Sequence, residues 1–151
     1  MTANNKKKAH PKHHTQWAAQ FAVASELCKR GYEVAFTMGN HPLKDLMVIS
    51  PNGIPFAIDV KGLYKKNTWP VSKRPPNANL FYVFALVPEN APNKFFILTQ
   101  DETNTGIDTE VSHTRGRTEA RGELLSEAGY FYGIEWNFVL PYENAWATLP
   151  K

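Results

Sequence analysis

Residues Leu80 to Val87 read Leu-Phe-Tyr-Val-Phe-Ala-Leu-Val, an unbroken apolar run. It is far shorter than a membrane-crossing helix. Such a run fits a strand buried in the middle of a sheet, with both faces covered. A chain that contains it must supply covering layers. The first of these is visible upstream, where Thr15 can cap a helix running to about Arg30, with Gly31 as its stop. Along that helix Trp17, Phe21, Ala24, Leu27 and Cys28 recur at helical spacing and predict its apolar face.

The remaining elements follow from short patterns. Tyr32 to Met38 reads as a first strand and Leu46 to Ile49 as a second. Pro51-Asn52-Gly53 is a turn, and Phe56 to Lys61 is a third strand, so residues 45–61 form a hairpin. Gly62 to Asn79 contains Pro70, Pro75 and Pro76 and reads as a loop. After the apolar run, Pro88 to Asn93 is a turn and Lys94 to Leu98 a further strand. Residues 101–118 read as loop, 119–128 as a short helix, 130–136 as a late strand or loop, and 141–149 as a terminal helix anchored by Trp146. Helix, strand, hairpin and two more strands predict an α/β sandwich with a central mixed sheet, the first helix packed on one face.

At 151 residues, this is expected to be a basic flexible tail over residues 1–14 and a single domain over 15–151. An apolar fraction of 42% and a charged fraction of 21% are ordinary for a globular chain. Cys28 is the lone cysteine, so no internal disulfide or cysteine zinc cluster can form, which fits a reducing cytoplasm. No stretch is apolar enough for a membrane span, and the polar, basic start is unlike a secretory signal. The net charge of +3 permits a polyanionic partner without demanding one. Basic residues gather at Lys6, Lys7, Lys8 and Lys12, and again at Lys61, Lys65, Lys66, Lys73 and Arg74.

The hairpin carries the chemistry. Asp59 and Lys61 stand two apart on an apolar strand and project to one face. As an ion pair they can simply satisfy each other. Asp45 opens the partner strand. With the turn centred between Asn52 and Gly53, Asp45 pairs with Val60 and faces away from Asp59. A bulge or a twisted strand start is then needed to bring both carboxylates to one point. Converged, two carboxylates with a backbone carbonyl and waters suit Mg²⁺ or Mn²⁺. Such an ion polarises a phosphate and acidifies a bound water, and Lys61 can hold or deprotonate that water.

Asp59-Val60-Lys61, starting fourteen positions after Asp45 and following an apolar strand, resembles the motif of the PD-(D/E)xK nuclease superfamily. Residues 24–34 resemble the first helix and strand of archaeal Holliday junction resolvases and their small relatives. The strands at 79–87 and 95–99 and the closing Tyr142-Glu143-Asn144-Ala145-Trp146 also resemble segments of those relatives, so the likeness spans about residues 16–149. It implies a restriction-endonuclease-like fold, hydrolysis of phosphodiester bonds in DNA, Mg²⁺ or Mn²⁺ on Asp45 and Asp59, catalysis by Lys61, and a symmetric homodimer. Two departures stand out. Lys44 occupies the proline position before Asp45. Gln20 stands where the first helix usually carries a glutamate; it lies within the helix's apolar arc, whereas Glu26 lies on the opposite side. An amide can bind a metal through its oxygen but without charge. An inactive module that keeps the fold and binds nucleic acid is therefore the second expectation, and a structural protein with an ordinary Asp59–Lys61 salt bridge the third.

Lys65, Lys66, Trp69, Lys73 and Arg74 follow the motif and suit backbone contact and base stacking, although Trp69 equally suits a loop anchor. His10, His13 and His14 could bind a metal, and His41 and His113 could meet phosphate, but each reads more simply as a surface residue. Cys28 reads as core. Phe131, Tyr132 and Trp136 are aromatics available for a dimer interface.

Overall fold

The apolar run becomes an inner strand of a five-stranded mixed sheet in the computed structural model, which describes residues 10–126 and 130–151. The strands are β1 (Glu33–Phe36), β2 (Leu46–Ile49), β3 (Pro55–Leu63), β4 (Trp69–Pro70), β5 (Leu80–Leu86), β6 (Lys94–Thr99) and β7 (Gly133–Ile134). The sheet order is β1-β2-β3-β5-β6, while β4 and β7 form a separate antiparallel pair. β3 and β5 run parallel, Asp59 beside Tyr82 and Lys61 beside Phe84; the other neighbours are antiparallel. The helices are α1 (Lys12–Lys29), α2 (Gln100–Ala120) and α3 (Trp136–Val139). This mixed α/β arrangement, a five-stranded mixed sheet with helices, is compatible with the α/β sandwich that the sequence predicts.

Each face of the sheet carries its own core, set by the alternation of the strands. Ala19, Val23 and Leu27 of α1 pack on Leu46, Val48, Ile58 and Val60, with Trp146 closing the far end. On the other face Tyr82, Phe84 and Phe96 pack with Trp69, Ile107 and Ile134. The expected face of α1 needs correcting. Phe21 is 58% exposed, its ring lying against Trp17 and Phe36, and Cys28 is exposed rather than core. Gln20 and Leu27 are buried as expected. The helix also starts earlier than Thr15, at Lys12, so His13 and His14 form its first turn rather than a tail; Lys6, Lys7 and Lys8 lie outside the described residues. Thr15 is buried, its hydroxyl 2.9 Å from His10 Nδ1.

The largest departure is α2, which occupies residues expected to be loop. Threonine, glycine and charge dominate this stretch, and propensity disfavours such a helix. Two features compensate. Thr99 and Glu102 form a reciprocal capping box, with bonds of 3.2 and 2.8 Å. The Thr103, Thr105, Thr109 and Thr118 hydroxyls donate back to carbonyls four residues earlier, so their polarity is satisfied inside the helix. Thr99→Ala should cost about 1 kcal/mol, read as a lower denaturant midpoint with an unchanged slope. The helix expected over 119–128 therefore gives way to the end of α2; residues 127 and 128 lie outside the described residues. The terminal helix resolves into 3-10 turns at Leu140–Tyr142 and Trp146–Thr148, with Trp146 buried against Phe95 as its anchor.

Candidate active site

The site lies where the sheet forks. β2 begins at Leu46, paired with Ile58, while β3 continues past that pair to Leu63 with β5 along its other side. Beyond the fork Val60 has no backbone partner from β2. Its N–H donates to Asp45 Oδ2 at 2.8 Å, and its carbonyl accepts from Gln16 Nε2 at 2.9 Å. Two side chains thus replace a neighbouring strand along this edge.

The hairpin turn decides which residues meet. Ser50 N–H donates to the Ile54 carbonyl at 2.9 Å, and Gly53 takes a positive φ of 86° that glycine adopts without strain. The loop is three residues long and centred on Asn52, half a residue from the expected centre. Continuing the observed register sets Asp45 opposite Asp59, not Val60. The pairing also bends here, because Asp45 N–H donates to the Ile58 carbonyl at 3.0 Å. Thr37 fixes the other side, its hydroxyl donating to the Lys44 carbonyl at 2.7 Å and its N–H to the Asp45 carbonyl at 3.0 Å.

Around this point the four expected site residues gather. Lys61 Nζ is 3.1 Å from Asp59 Oδ1, the ion pair that the sequence allowed. Gln20 Nε2 makes a long 3.4 Å hydrogen bond to Asp45 Oδ1, so the amide supports the carboxylate through its nitrogen. Gly62 brings α1 close enough for this. A Cβ there would sit 2.8 Å from Ala19 Cβ and 3.1 Å from the Thr15 carbonyl.

The sequence did not reveal two further members. Gln16 precedes Gln20 by one helical turn, a spacing that could have signalled it. Arg74, expected only as a nucleic-acid contact, enters the site itself. Its guanidinium is 2.7 Å from Asp59 Oδ2, donates to the Leu43 carbonyl at 2.9 Å and lies over the Tyr82 ring. Nothing local in the proline-rich segment marks it. Burial pushes the Tyr82 phenol up to about 12, so it stays protonated beside Asp59.

Asp45 responds to this crowding. Burial is the main cause lifting its carboxyl to about 6, opposed by the Val60 N–H; Asp59's charge lifts it further and Lys61 lowers it. The native state therefore holds this proton more tightly than the unfolded chain, whose carboxyl titrates near 3.8. Asp45's contribution to stability should then be greatest below pH 4, fall as pH rises towards about 6, and level off above it. Asp45→Asn should flatten that slope and melt above wild type at neutral pH in EDTA. Melting curves across this range test it, and an unchanged slope would assign the titration elsewhere.

The other expected contacts fall into three groups. Lys65 borders a cavity of about 770 Å³ shared with His10, Lys12, Gln16 and Tyr64, on the α1 side of the site. Lys66 lies over Trp136, and Lys73 pairs with Asp108 at 2.8 Å on the surface. Trp69 is a correction. It is 0% exposed, stacked on Trp136 and packed on Phe84 and Phe96, so it anchors the loop and has no face free for a base. Trp136 is committed to the same cluster, whereas Phe131 is exposed.

A pair of converging carboxylates with an amide nearby is an oxygen-rich donor set that suits a hard divalent cation retaining waters. Among the described residues, no three His, Cys, Asp or Glu side chains gather as a closed metal cage. No helix among them is long and apolar enough to cross a membrane. No family model, curated protein or solved structure matches the chain.

Proposed function

We propose that the chain is a metal-dependent endonuclease of restriction-endonuclease-like fold that hydrolyses phosphodiester bonds in DNA. The observation that carries this reading is the meeting of Asp45, Asp59 and Lys61 at the fork of β2 and β3. Antiparallel β1-β2-β3 joined to a parallel β5, with α1 on one face, is compatible with that fold. Asp45 and Asp59 would hold Mg²⁺ or Mn²⁺, which supplies Lewis-acid activation of phosphate and water.

The chain's own residues do the rest. Asp45 presents one oxygen fixed by the Val60 N–H and one held by Gln20. Lys61, on a rigid strand and 28% exposed, stands where it can orient the attacking water and offset charge growing on the phosphate. Lys65, Lys66, Lys73 and Arg74 supply cations for the DNA backbone. Cutting both strands would require two copies, hence a homodimer. A reducing cytoplasm suits the free, exposed Cys28.

Supercoiled plasmid incubated with Mg²⁺ or Mn²⁺ tests the reading. Nicking that stops in EDTA and is lost in Lys61→Ala supports it; nicking that persists in Lys61→Ala overturns the assignment. One observation favours a second reading, a module that binds nucleic acid without turnover. Asp59 already carries two cations, Lys61 and Arg74, and Gln20 adds no charge for a metal. Tight DNA binding in EDTA with no cleavage in either metal would select it.

A further inference from the structure

Arg74 is held in two ways. Its backbone is clamped to α2: its carbonyl accepts from Gln100 Nε2 at 2.8 Å and Asn104 Nδ2 at 2.9 Å, and its N–H donates to Asn104 Oδ1 at 3.3 Å. Its side chain reaches across to Asp59, which is 3% exposed. Beside it opens a cavity of about 510 Å³, walled by Leu43, Pro75, Pro76 and Leu80, with Arg74 and Lys44 as its cations. Apolar walls with two cations match a nucleotide, the phosphate on the cations and the sugar or base on the walls.

A divalent ion joining Asp59 would repel a guanidinium 2.7 Å from the same carboxylate. Lys61 is fixed on β3. Arg74 can turn on its clamped backbone towards the neighbouring cavity.

We infer that this cavity is a phosphodiester subsite of the DNA, and that Arg74 passes from Asp59 to that phosphate when a divalent cation takes the carboxylate. The inference rests on the endonuclease reading of Asp45 and Asp59. It makes metal and DNA mutually supportive, because each favours the arrangement with Arg74 off Asp59.

Calorimetric titration of the full chain with Mn²⁺ and with a short phosphorothioate oligonucleotide tests it. In wild type, Mn²⁺ should tighten oligonucleotide binding about tenfold. Arg74→Ala should bind Mn²⁺ about tenfold more tightly than wild type and lose that coupling. Arg74→Gln, which keeps polar contact without charge, should behave alike and covers the case of a poorly folded alanine variant. Lys44→Ala should weaken oligonucleotide binding and leave Mn²⁺ affinity at the wild-type value. Mn²⁺ binding that is unchanged in both Arg74 variants, with oligonucleotide affinity indifferent to metal, overturns the exchange but leaves the metal site standing. No Mn²⁺ binding by any form overturns both.

Discussion

Asp59→Asn should, on the proposed endonuclease reading, lower single-turnover cleavage of DNA in saturating Mg²⁺ by roughly 10³-fold or more, while the protein stays folded. Asparagine keeps the shape of the side chain and removes the charge. That charge is the one most deeply placed in the site, at 3% exposure. On the proposed reading its loss strips the metal of a ligand; it also frees Lys61 and Arg74 from a shared partner. Those cations are 28% and 17% exposed and can turn towards water, so the stability cost should be modest beside the loss of rate. Far-ultraviolet circular dichroism and a melting curve establish folding, and the cleavage rate then reports on chemistry alone. Wild-type cleavage in this variant would place the cutting chemistry away from the fork.

Trp69→Ala should act in the opposite way, costing about 3–5 kcal/mol of stability with no direct effect on the carboxylates. The indole fills the space between Phe84, Phe96 and Trp136, and its N–H reaches the Ala85 carbonyl at 3.4 Å. Truncation leaves a large cavity in the core between the sheet and α2. It also releases the β4–β7 pair, in which Trp69 stands opposite Ile134. Urea unfolding measures the cost. A loss below about 1 kcal/mol, combined with weakened DNA binding, would return Trp69 to the surface role that the nearby Lys73 and Arg74 first suggested.

The legible parts of the chain were those written in local pattern. The run at 80–87 fitted an inner strand, and Asp59-Val60-Lys61 announced a shared face two residues apart. Gln20 is buried beside Asp45 even though the buried face of α1 is turned away from Phe21 and Cys28, because residue 20 lies within both arcs. Register was harder. The difference between a turn centred on Asn52 and one centred half a residue later is invisible in composition, yet it decides whether Asp45 meets Asp59. α2 was missed because its stability comes from capping and internal hydroxyl bonds rather than from an apolar stripe, Ile107 being its main buried apolar side chain. Arg74 reaches Asp59 only after the long connection from β3 to β5 has folded back, and no spacing in the sequence encodes that return.

The two side chains that complete Val60 have a consequence for how the protein keeps to itself. An uncovered stretch of strand is a template on which another chain can add, and the exposed main-chain groups of such an edge favour aggregation. Asp45 and Gln16 close this stretch by occupying the Val60 N–H and carbonyl. A variant that loses both would therefore be disabled in a second sense, with an adhesive edge at the fork. Selection on these positions would answer to solubility as well as to any reaction carried out there.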